Sequence, residues 1–487
     1  MKHFYLQLLA IILITNTINS QDLKGNAIYG ESSFDQSGWS VATSYDGSII
    51  AIGSPNNDNS NGNDSGQVQV FFFTNNNWVQ MGNDINGSDT GLKAGTSVAL
   101  SANGTIVAIG SPYFDTQRGK VQVYEFTNGS WSQLGDDIIG EELTDLSGAS
   151  ISLSHIGNIL AIGAPVNSSG TGHVRVFELT NNNWTQLGED IDGEFAQDKS
   201  GTSVSLNNTG LTVAIGAPEN NSRRGQVRVY NYNGTSWAKV GEDINGNSDI
   251  DVFGTSVELS DDGNTLIAGG HGNDGSFNNA GYAKIYEFSG TNWIQKGTSI
   301  NGEAEDDFSG WSVSISGNGD IVSVGSRHND GSFNKAGHIR LFKFSENNWV
   351  QLGNDIDGLA ADNLFGFSTS LSNDGTTLIG GAPNSDENGN KSGSVRVFDI
   401  TQATLDISTY SLTNNIFNIF PNPAVTEISI SLKDNSVLKK LNIYNSFSQL
   451  IITTKESNVD VSKLSKGIYI IEVLTSKGKE SKKLIIK

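Results

Sequence analysis

A repeat of about 53 residues runs through most of the chain and restricts its fold more than any other feature. A Gly-x-Ser-Val-like motif begins at seven glycines spaced 53 to 57 residues apart, namely Gly38, Gly95, Gly148, Gly201, Gly254, Gly310 and Gly366. A lone Trp after a polar turn repeats at the matching spacing, at Trp78, Trp131, Trp184, Trp237, Trp293 and Trp349. Because each repeat is one structural unit, the two markers predict seven similar modules.

Each unit contains four short segments with the pattern of β-strands. The first segment, such as residues 203–206, leads into an Asx-Gly turn such as Asp46-Gly47, which predicts a hairpin with a type I′ turn. The second ends in Ala-Ile-Gly-Ala-Pro, as at residues 161–165, the third alternates, as at residues 174–177, and the fourth starts at the Trp. Four strands in each of seven units predict an all-β fold, a seven-bladed β-propeller of four-stranded blades.

The two ends of the repeat region complement each other. The seventh unit stops at residue 400 without a Trp strand, whereas residues 25–30 match the end of a fourth strand, residues 188–193. We therefore expect a propeller over residues 21–400 in which the N-terminal strand completes the last blade. Such closure removes open sheet edges, which would otherwise pair with other chains.

Two copies of the repeat carry a family resemblance. Phe253-Gly254 and Phe365-Gly366, each followed about 13 residues later by Gly-Gly or Gly-Ala-Pro, resemble the Phe-Gly/Gly-Ala-Pro repeats of integrin alpha-chain propellers and their bacterial relatives. The resemblance covers residues 25 to 400. Several copies depart from it, with Ala94, Ser147, Ser200 and Ser309 in place of Phe. The family implies a propeller used for binding, often with calcium in the loop after the second strand.

The N-terminus has the pattern of a secretory signal peptide over residues 1–20. Lys2 precedes an apolar run over residues 8–14 that is too short to span a bilayer, and a polar stretch follows it. No later segment is apolar enough to predict a transmembrane helix. The sequence therefore predicts export of the mature chain.

The composition changes after a polar linker at residues 401–415. Residues 417–487 hold 11 Lys against 6 acidic residues, a charge of +5, whereas the rest of the chain carries −27. Alternating segments such as residues 428–432 and 467–473 predict a small β-sandwich over residues 416–487.

This last domain also resembles a known family. Pro421-Asn422-Pro423, the stretch Asp-Val-Ser-Lys-Leu-Ser-Lys-Gly-Ile-Tyr at residues 460–469 and the Lys-rich end resemble the C-terminal sorting domain of the type IX secretion system of Bacteroidetes. The resemblance implies recognition by that machinery and a secreted or cell-surface protein of a Gram-negative bacterium. A generic immunoglobulin-like accessory module is the alternative.

Charge and composition exclude several classes of function. The net charge of −22 argues against nucleic acid, whose binding depends on Lys and Arg. The absence of Cys excludes disulfides, thiolate metal sites and Cys nucleophiles. The six His residues lack the spacing of a helical zinc motif, and no Ser lies in a nucleophile elbow, so the sequence predicts no catalytic residues.

Loops after the second and fourth strands are expected to share one face, and they supply candidate ligands. An Asp three residues before the motif Gly is predicted mainly to cap turns, with ligand contact as the alternative, at Asp35, Asp145, Asp198, Asp251 and Asp307. Alternating oxygen-bearing side chains in the loop after strand two are candidates for Ca²⁺ binding, at Asp58, Ser60, Asp274, Ser276, Asp330, Ser332, Asp386 and Asn388. A hydrogen-bonded loop without metal is the alternative, since no copy has a full calcium-loop series.

Aromatic residues supply a further candidate site. Each repeated Trp is expected to pack between blades, whereas Trp39, Trp311 and Phe367 replace the small residue of the motif and are candidates for an exposed binding spot. We therefore expect a secreted binding or adhesion module with a carbohydrate or surface-protein ligand. The alternatives are a polysaccharide hydrolase that uses rim carboxylates and a structural surface-layer protein.

Overall fold

The computed structural model describes residues 21–275, 277–401, 417–432, 437–445, 450–475 and 478–487. The chain divides into two compact units, residues 1–404 and residues 405–487. The predicted signal peptide at residues 1–20 lies outside the described residues, as does the predicted linker apart from Thr401. The described part of the chain contains no helix with the length and hydropathy needed to cross a bilayer.

The first unit consists of seven antiparallel sheets, each built on the same strand order, which confirms the all-β, seven-bladed prediction. The innermost strands of blades 1 to 7 are Ser40–Thr43, Ser97–Leu100, Ser150–Leu153, Ser203–Leu206, Ser256–Leu259, Ser309–Ile315 and Ser368–Leu371. The second strands are Ile49–Ser54, Ile106–Ser111, Ile159–Ala164, Thr212–Ala217, Thr265–Gly270, Ile321–Ser326 and Thr377–Ala382. The third strands are Gln67–Thr74, Lys120–Thr127, His173–Thr180, Gln226–Tyr232, Tyr282–Phe288, His338–Ser345 and Ser394–Asp399.

The outer edge of each blade consists of two pieces that both pair with the third strand. The longer pieces of blades 1 to 6 are Asn77–Gln80, Ser130–Gln133, Asn183–Gln186, Trp237–Lys239, Trp293–Gln295 and Asn348–Gln351. The shorter pieces are Ile85–Asn86, Ile138–Ile139, Ile191–Asp192, Ile244–Asn245, Ile300–Asn301 and Ile356–Asp357. A glycine with positive φ lies between the two pieces, as at Gly188 (φ +80°), where a Cβ would lie 2.9 Å from Trp237 Cδ1 of the next blade.

The N-terminus completes the seventh blade. Asp22–Leu23 and Ile28–Tyr29 both pair antiparallel with the third strand of blade 7, with Asp22 opposite Asp399 and Ile28 opposite Val395. These residues occupy the position of the two outer pieces in the other blades. The seventh sheet is therefore built from both ends of the unit.

The hairpin between the first and second strands differs in detail from the prediction. Gly47 has φ +64°, but Asp46 is not in the positive-φ region, so the turn is not type I′. Instead, Asp46 Oδ1 accepts the backbone N–H of Ser48, and Gly47 N–H binds the carbonyl of Ser44. The Asp side chain accepts a backbone N–H group of the turn, so the hairpin forms without a second residue of positive φ. The type I′ prediction was wrong, although the hairpin forms.

The loop after the second strand has two forms. Blades 2, 3 and 4 have four-residue helical turns, at Phe114–Gln117, Asn167–Gly170 and Asn220–Arg223. Their middle residues have positive φ, for example +50° at Asn221 and +61° at Ser222, so these turns are left-handed. Blades 1, 5, 6 and 7 have the longer Asn- and Asp-rich loops.

Neighbouring blades meet through the two glycines of each repeat. At the contact of blades 4 and 5, a Cβ on Gly216 would lie 2.0 Å from the carbonyl oxygen of Gly254 and 2.4 Å from Ser203 Oγ. Ser203 Oγ donates to that same carbonyl at 2.8 Å. The equivalent Ser–Gly bonds, 2.8 to 3.0 Å long, join all seven blades and return from Ser368 to Gly38.

The repeated Trp residues also join the blades. Trp184 Nε1 donates to the carbonyl of Leu134 in the preceding blade at 2.9 Å, and the other five make the equivalent bond. The ring of Trp131 packs against Phe126 of its own third strand, with centroids 5.1 Å apart. These contacts confirm the packing role predicted for the Trp residues. At the remaining contact, Gln21 Nε2 donates to the carbonyl of Leu352 at 2.7 Å.

The seven innermost strands surround an axial cavity of about 230 Å³. Serine side chains at its wall accept backbone N–H groups of the next blade, for example Ser205 from Leu259. Glu258 takes the place of such a serine, and its Oε2 accepts the N–H of Ile315 at 2.8 Å. Burial raises the pKa of Glu258 to about 7, although hydrogen bonds from Ser314 and Ile315 act in the opposite direction.

The second unit is a sandwich of two sheets. A three-stranded sheet contains Phe417–Phe420, Glu427–Leu432 and Asn458–Asp460, and a four-stranded sheet contains Leu450–Thr454, Leu438–Tyr444, Gly467–Thr475 and Gly478–Ile486. The core between the sheets includes the buried side chains of Phe417, Ile428, Leu441, Ile471 and Leu484. Asn422, in the Pro-Asn-Pro segment, donates to the Lys483 carbonyl at 2.7 Å and accepts Ile485 N–H at 2.9 Å. This motif therefore holds the C-terminal strand.

We expect Gly216→Ala to lower the free energy of unfolding by about 1–3 kcal/mol, because the added methyl group overlaps the backbone of the next blade. Ser203→Ala should cost about 1 kcal/mol for the lost hydrogen bond, and the double variant should not recover, since the Gly254 carbonyl remains in place. Thermal or denaturant unfolding measures both changes. Gly467→Ala is the control, because its φ lies outside the left-handed region and the nearest heavy atom to its added Cβ is 4.0 Å away. An equal loss in this variant would contradict the prediction.

We expect Glu258 to make the stability of the propeller depend on pH. Its folded pKa of about 7 lies above its usual value of 4.5, so its contribution is fully present below pH 4.5 and is lost as the pH rises through 7. Glu258→Gln stays neutral, so its free energy of unfolding, measured by denaturant unfolding, should exceed that of the wild type increasingly from pH 5 to pH 8, by roughly 1–3 kcal/mol at the upper end. A difference that does not change with pH would contradict this assignment.

We expect Asn422→Ala to speed amide hydrogen exchange in the C-terminal strand of the full chain, because Ile485 N–H loses its acceptor. Loss of one such bond, at about 1 kcal/mol, corresponds to roughly fivefold faster exchange. Exchange followed by mass spectrometry of the peptide over residues 482–487 measures the effect. Ser431→Ala, at an exposed strand position, is the control and should leave this peptide unchanged.

Candidate ligand-binding face

The loops after the second strand and those after the outer strand lie on the same face of the propeller, here called the rim face, and they contact each other directly. In blade 5, Asn273 Nδ2 donates to Asp251 Oδ1 at 2.7 Å, which joins the two kinds of loop. Asn329 and Asp307 make the same contact at 3.2 Å. The predicted convergence of these loops is therefore observed.

The five predicted rim aspartates lie inside these loops and are between 1 and 3% exposed, namely Asp35, Asp145, Asp198, Asp251 and Asp307. Their carboxylates accept backbone N–H groups of their own loop; Asp307 Oδ2, for example, binds Glu303 N–H at 3.0 Å and Ala304 N–H at 2.8 Å. Tyr282 also donates to Asp251 at 2.9 Å. This geometry gives the five side chains a part in loop structure and keeps them away from the rim surface.

The calcium candidates lie in the longer loops after the second strand. Each Asp caps its loop, because its Oδ1 accepts a backbone N–H five or six residues later; the bonds join Asp58 to Asp64, Asp274 to Asn279, Asp330 to Lys335 and Asp386 to Lys391. Ser332 donates to the Gly358 carbonyl at 3.1 Å and Asn388 donates to the Gly30 carbonyl at 2.7 Å. Ser60 is exposed, and Ser276 lies outside the described residues.

Among the described residues of these loops, two calcium candidates are already engaged in hydrogen bonds. Ca²⁺ takes six to eight oxygen ligands, whereas the neighbouring Ser332 and Asn388 side chains act as hydrogen-bond donors to backbone carbonyls. Calcium binding therefore stays a prediction of the sequence.

The three predicted aromatic candidates come together at the inner edge of the rim face. Trp39, Trp311 and Phe367 belong to blades 1, 6 and 7, which are neighbours in the ring, and we call them the aromatic cluster. The ring centroids of Trp39 and Phe367 are 4.6 Å apart, and those of Trp311 and Phe367 are 5.7 Å apart. All three side chains are partly exposed. At the same position the other four blades carry Thr96, Ala149, Thr202 and Thr255, so the cluster occupies one side of the axis.

A cation and two imidazoles flank the aromatic cluster. The guanidinium carbon of Arg327 lies 3.3 Å from the Trp311 ring centroid, a cation–π contact, and His271 packs edge-on against Trp311 with centroids 4.8 Å apart. Phe308 lies between His271 and His328.

The electrostatics of this group follow from its burial. Burial, reinforced by the charge of Arg327, lowers the pKa of His271 to about 3 and that of His328 to about 4. Burial also lowers the pKa of Arg327, to about 10. At neutral pH both imidazoles are therefore uncharged, and Arg327 supplies a positive charge among aromatic rings in an acidic protein.

Our sequence reasoning missed Arg327, His271 and His328, although a signal was present. In five blades the second strand is followed by Pro, as at Pro165, but blades 5 and 6 have His271 and Arg327 at that position. These departures from the repeat lie beside the aromatic cluster.

Apolar side chains at the loop tips extend the rim face. Seven of them are 50 to 67% exposed, namely Phe34, Leu143, Phe195, Ile250, Phe277, Phe333 and Leu359. All seven belong to loops after the second or the outer strand. Exposed apolar side chains concentrated on one face are typical of a surface that contacts another molecule.

Family models match one segment in each of the two units. Residues 30–71 match the family model of the FG-GAP repeat, and residues 418–487 match that of the secretion system C-terminal sorting domain. No curated protein matches the chain. Among solved structures, Kuenenia stuttgartiensis hydrazine synthase is similar at 12% identity and a TM-score of 0.47, covering 75% of this chain and 95% of that chain. A Bacteroides uniformis protein described as a 6-phosphogluconolactonase is similar at 14% identity and a TM-score of 0.47, covering 66% of this chain and 85% of that chain.

The sorting domain determines where the protein goes. It is the signal of type IX secretion, so the protein is secreted or placed on the outer-membrane surface of a Bacteroidetes bacterium. The chain therefore combines a seven-bladed β-propeller, whose first blade matches the FG-GAP repeat over residues 30–71, with a type IX secretion sorting domain over residues 418–487.

Proposed function

We propose that the propeller is a binding module of the cell surface or the medium, and that its ligand is a carbohydrate that stacks on the aromatic cluster. The observation that carries this proposal is the meeting of Trp39, Trp311 and Phe367 from three consecutive blades as partly exposed rings. Aromatic faces offer a large contact area and a favourable surface for the C–H groups of a sugar ring.

Other features of the rim face support a binding role. Asn- and Asp-rich loops surround the aromatic cluster and offer hydrogen-bonding groups, while Arg327 can donate from beside Trp311. The export signal brings this face into contact with extracellular polymers. Adhesion to a surface protein through the apolar loop tips, such as Phe195 and Phe333, is the second candidate because these side chains are more than half exposed.

The hydrolase alternative has less support. A glycosidase needs two carboxyl groups facing each other across the bound sugar. The five rim aspartates do not meet this requirement in the observed geometry, because they are buried and accept hydrogen bonds within their loops.

We expect Trp39→Ala and Trp311→Ala each to weaken carbohydrate binding at least about tenfold, because truncation of a central aromatic anchor costs about 2 kcal/mol. Affinity electrophoresis of the full chain in gels containing mannan, xylan or soluble β-glucan measures the effect. Thr202→Ala, at the equivalent position on the other side of the axis, is the matched control and should bind as the wild type does.

Thermal melting shows whether each variant is folded before its binding is compared. If polysaccharide slows the wild type and the two Trp variants equally, the aromatic cluster is not the binding site. If no polysaccharide slows the wild type, the carbohydrate proposal fails, and pull-down with the loop-tip variants Phe195→Ser and Phe333→Ser tests the surface-protein candidate.

A further inference from the structure

Two sites between blades combine one histidine with two carboxylates. In blade 6 they are Glu303, His338 and Asp355, and in blade 3 they are Glu141, His173 and Asp190. Within each group, one nitrogen or oxygen atom from every residue lies within 4.8 Å of the others. In both sites the Glu follows the outer strand of the preceding blade, whereas the His and the Asp belong to the next blade. The sites are therefore equivalent by the symmetry of the repeat.

The histidines are buried and lack the partners that a buried imidazole normally has. His338 is 0% exposed, and neither ring nitrogen has a hydrogen-bond partner; Nδ1 points at Asp355 Oδ2 from 3.8 Å, too far for a hydrogen bond. His173 is 1% exposed, its Nδ1 lies 3.5 Å from Asp190 Oδ2, and its Nε2 has no partner. Unpartnered buried polar atoms cost free energy, so such an atom in a native structure indicates a missing partner.

Other blades show how this position is filled when no ligand is needed. In blades 1 and 4 the residue equivalent to His338 is Gln67 or Gln226, and its amide donates to Glu31 at 3.4 Å or to Glu194 at 3.3 Å. In blade 2 it is Lys120, which contacts Asp137 at 3.4 Å. A flexible donor therefore satisfies the acidic groups in these three blades. At this position of the five sites, the unpartnered nitrogen atoms belong to the two histidines, whereas in blade 4 the unpartnered atom is the oxygen Gln226 Oε1.

We propose that Glu303, His338 and Asp355, and equally Glu141, His173 and Asp190, each bind one divalent transition-metal ion, with zinc as the metal to test. One imidazole nitrogen and two carboxylate oxygens are ligands that Zn²⁺ accepts, and a water molecule would complete four-coordination. The imidazole nitrogen makes the sites more suited to a transition metal than to Ca²⁺, which prefers oxygen ligands.

The protonation and charge of the sites favour a cation. Burial lowers the pKa of His338 to about 4 and also lowers that of His173, so both imidazoles are neutral at neutral pH, the form that binds metals. Arg340 contacts Glu303 at 3.2 Å, and Arg175 contacts Glu141 at 3.7 Å. Each contact uses one carboxylate oxygen and leaves the second for a metal. Two carboxylates still outweigh one guanidinium, so each site keeps a net negative charge.

A bound ion would cross-link neighbouring blades, because its ligands come from two of them. Zinc that binds only the folded chain must raise the melting temperature. This readout does not depend on any activity of the protein and is separate from carbohydrate binding at the aromatic cluster.

The test is zinc binding to the full chain, produced without a polyhistidine tag and freed of metal with a chelator. Equilibrium dialysis with elemental analysis, in 1 mM Ca²⁺ to occupy nonspecific acidic sites, should give two zinc ions per wild-type chain. His173→Gln and His338→Gln should each bind one, and the double variant should bind none. Glutamine is the residue that blades 1 and 4 use at this position, so these variants should fold. His155→Gln lies outside both sites and should still bind two.

Several results would overturn the proposal. Uptake of zinc by the double variant equal to that of the wild type, or no uptake by the wild type, would rule out both sites. If only one of the two single variants loses a zinc ion, the site of the histidine that was changed in the other variant is ruled out. Zinc should raise the melting temperature of the wild type and not that of the double variant, and an equal rise in both would place the metal elsewhere.

Discussion

The whole propeller depends on one contact that is repeated seven times, the approach of two glycines from neighbouring blades under a serine hydroxyl. At the contact of blades 4 and 5, Ser203 Oγ donates to the Gly254 carbonyl while Gly216 lies so close that a Cβ would be 2.0 Å from that oxygen. The absence of two side chains lets two backbones meet, and the hydroxyl fixes their register. Because the series returns from Ser368 to Gly38, each blade is held from both sides.

This contact explains why the sequence predicts the fold well. The two glycines and the serine are needed at every blade boundary, so they recur at a constant spacing that can be read without any structure. The outer Trp recurs for the same reason, since its indole N–H binds the preceding blade. Details that depend on side-chain hydrogen bonds were less accessible; Asp46, for example, satisfies its hairpin in a way that the Asx-Gly pattern alone does not reveal.

The candidate sites were harder to predict because they lie where the repeat is broken. The aromatic substitutions at Trp39, Trp311 and Phe367 could be read as exceptions, but only the ring closure makes blades 1, 6 and 7 neighbours and brings the three side chains together. The histidines at the start of two third strands gave no signal, since a polar residue is common at that position. Their significance depends on acidic residues from two blades, a relation that spacing along the chain does not show.

The closure of the seventh blade has a consequence for the order of folding. Most contacts of a blade form within about 53 residues, but the pairing of Asp22 with Asp399 joins segments separated by nearly the whole unit. Contacts this distant in sequence carry a large entropic cost until the intervening chain is already compact. The hairpins of each blade can therefore form locally, whereas residues 22–29 can pair with the last third strand at a low entropic cost only after the intervening blades are compact.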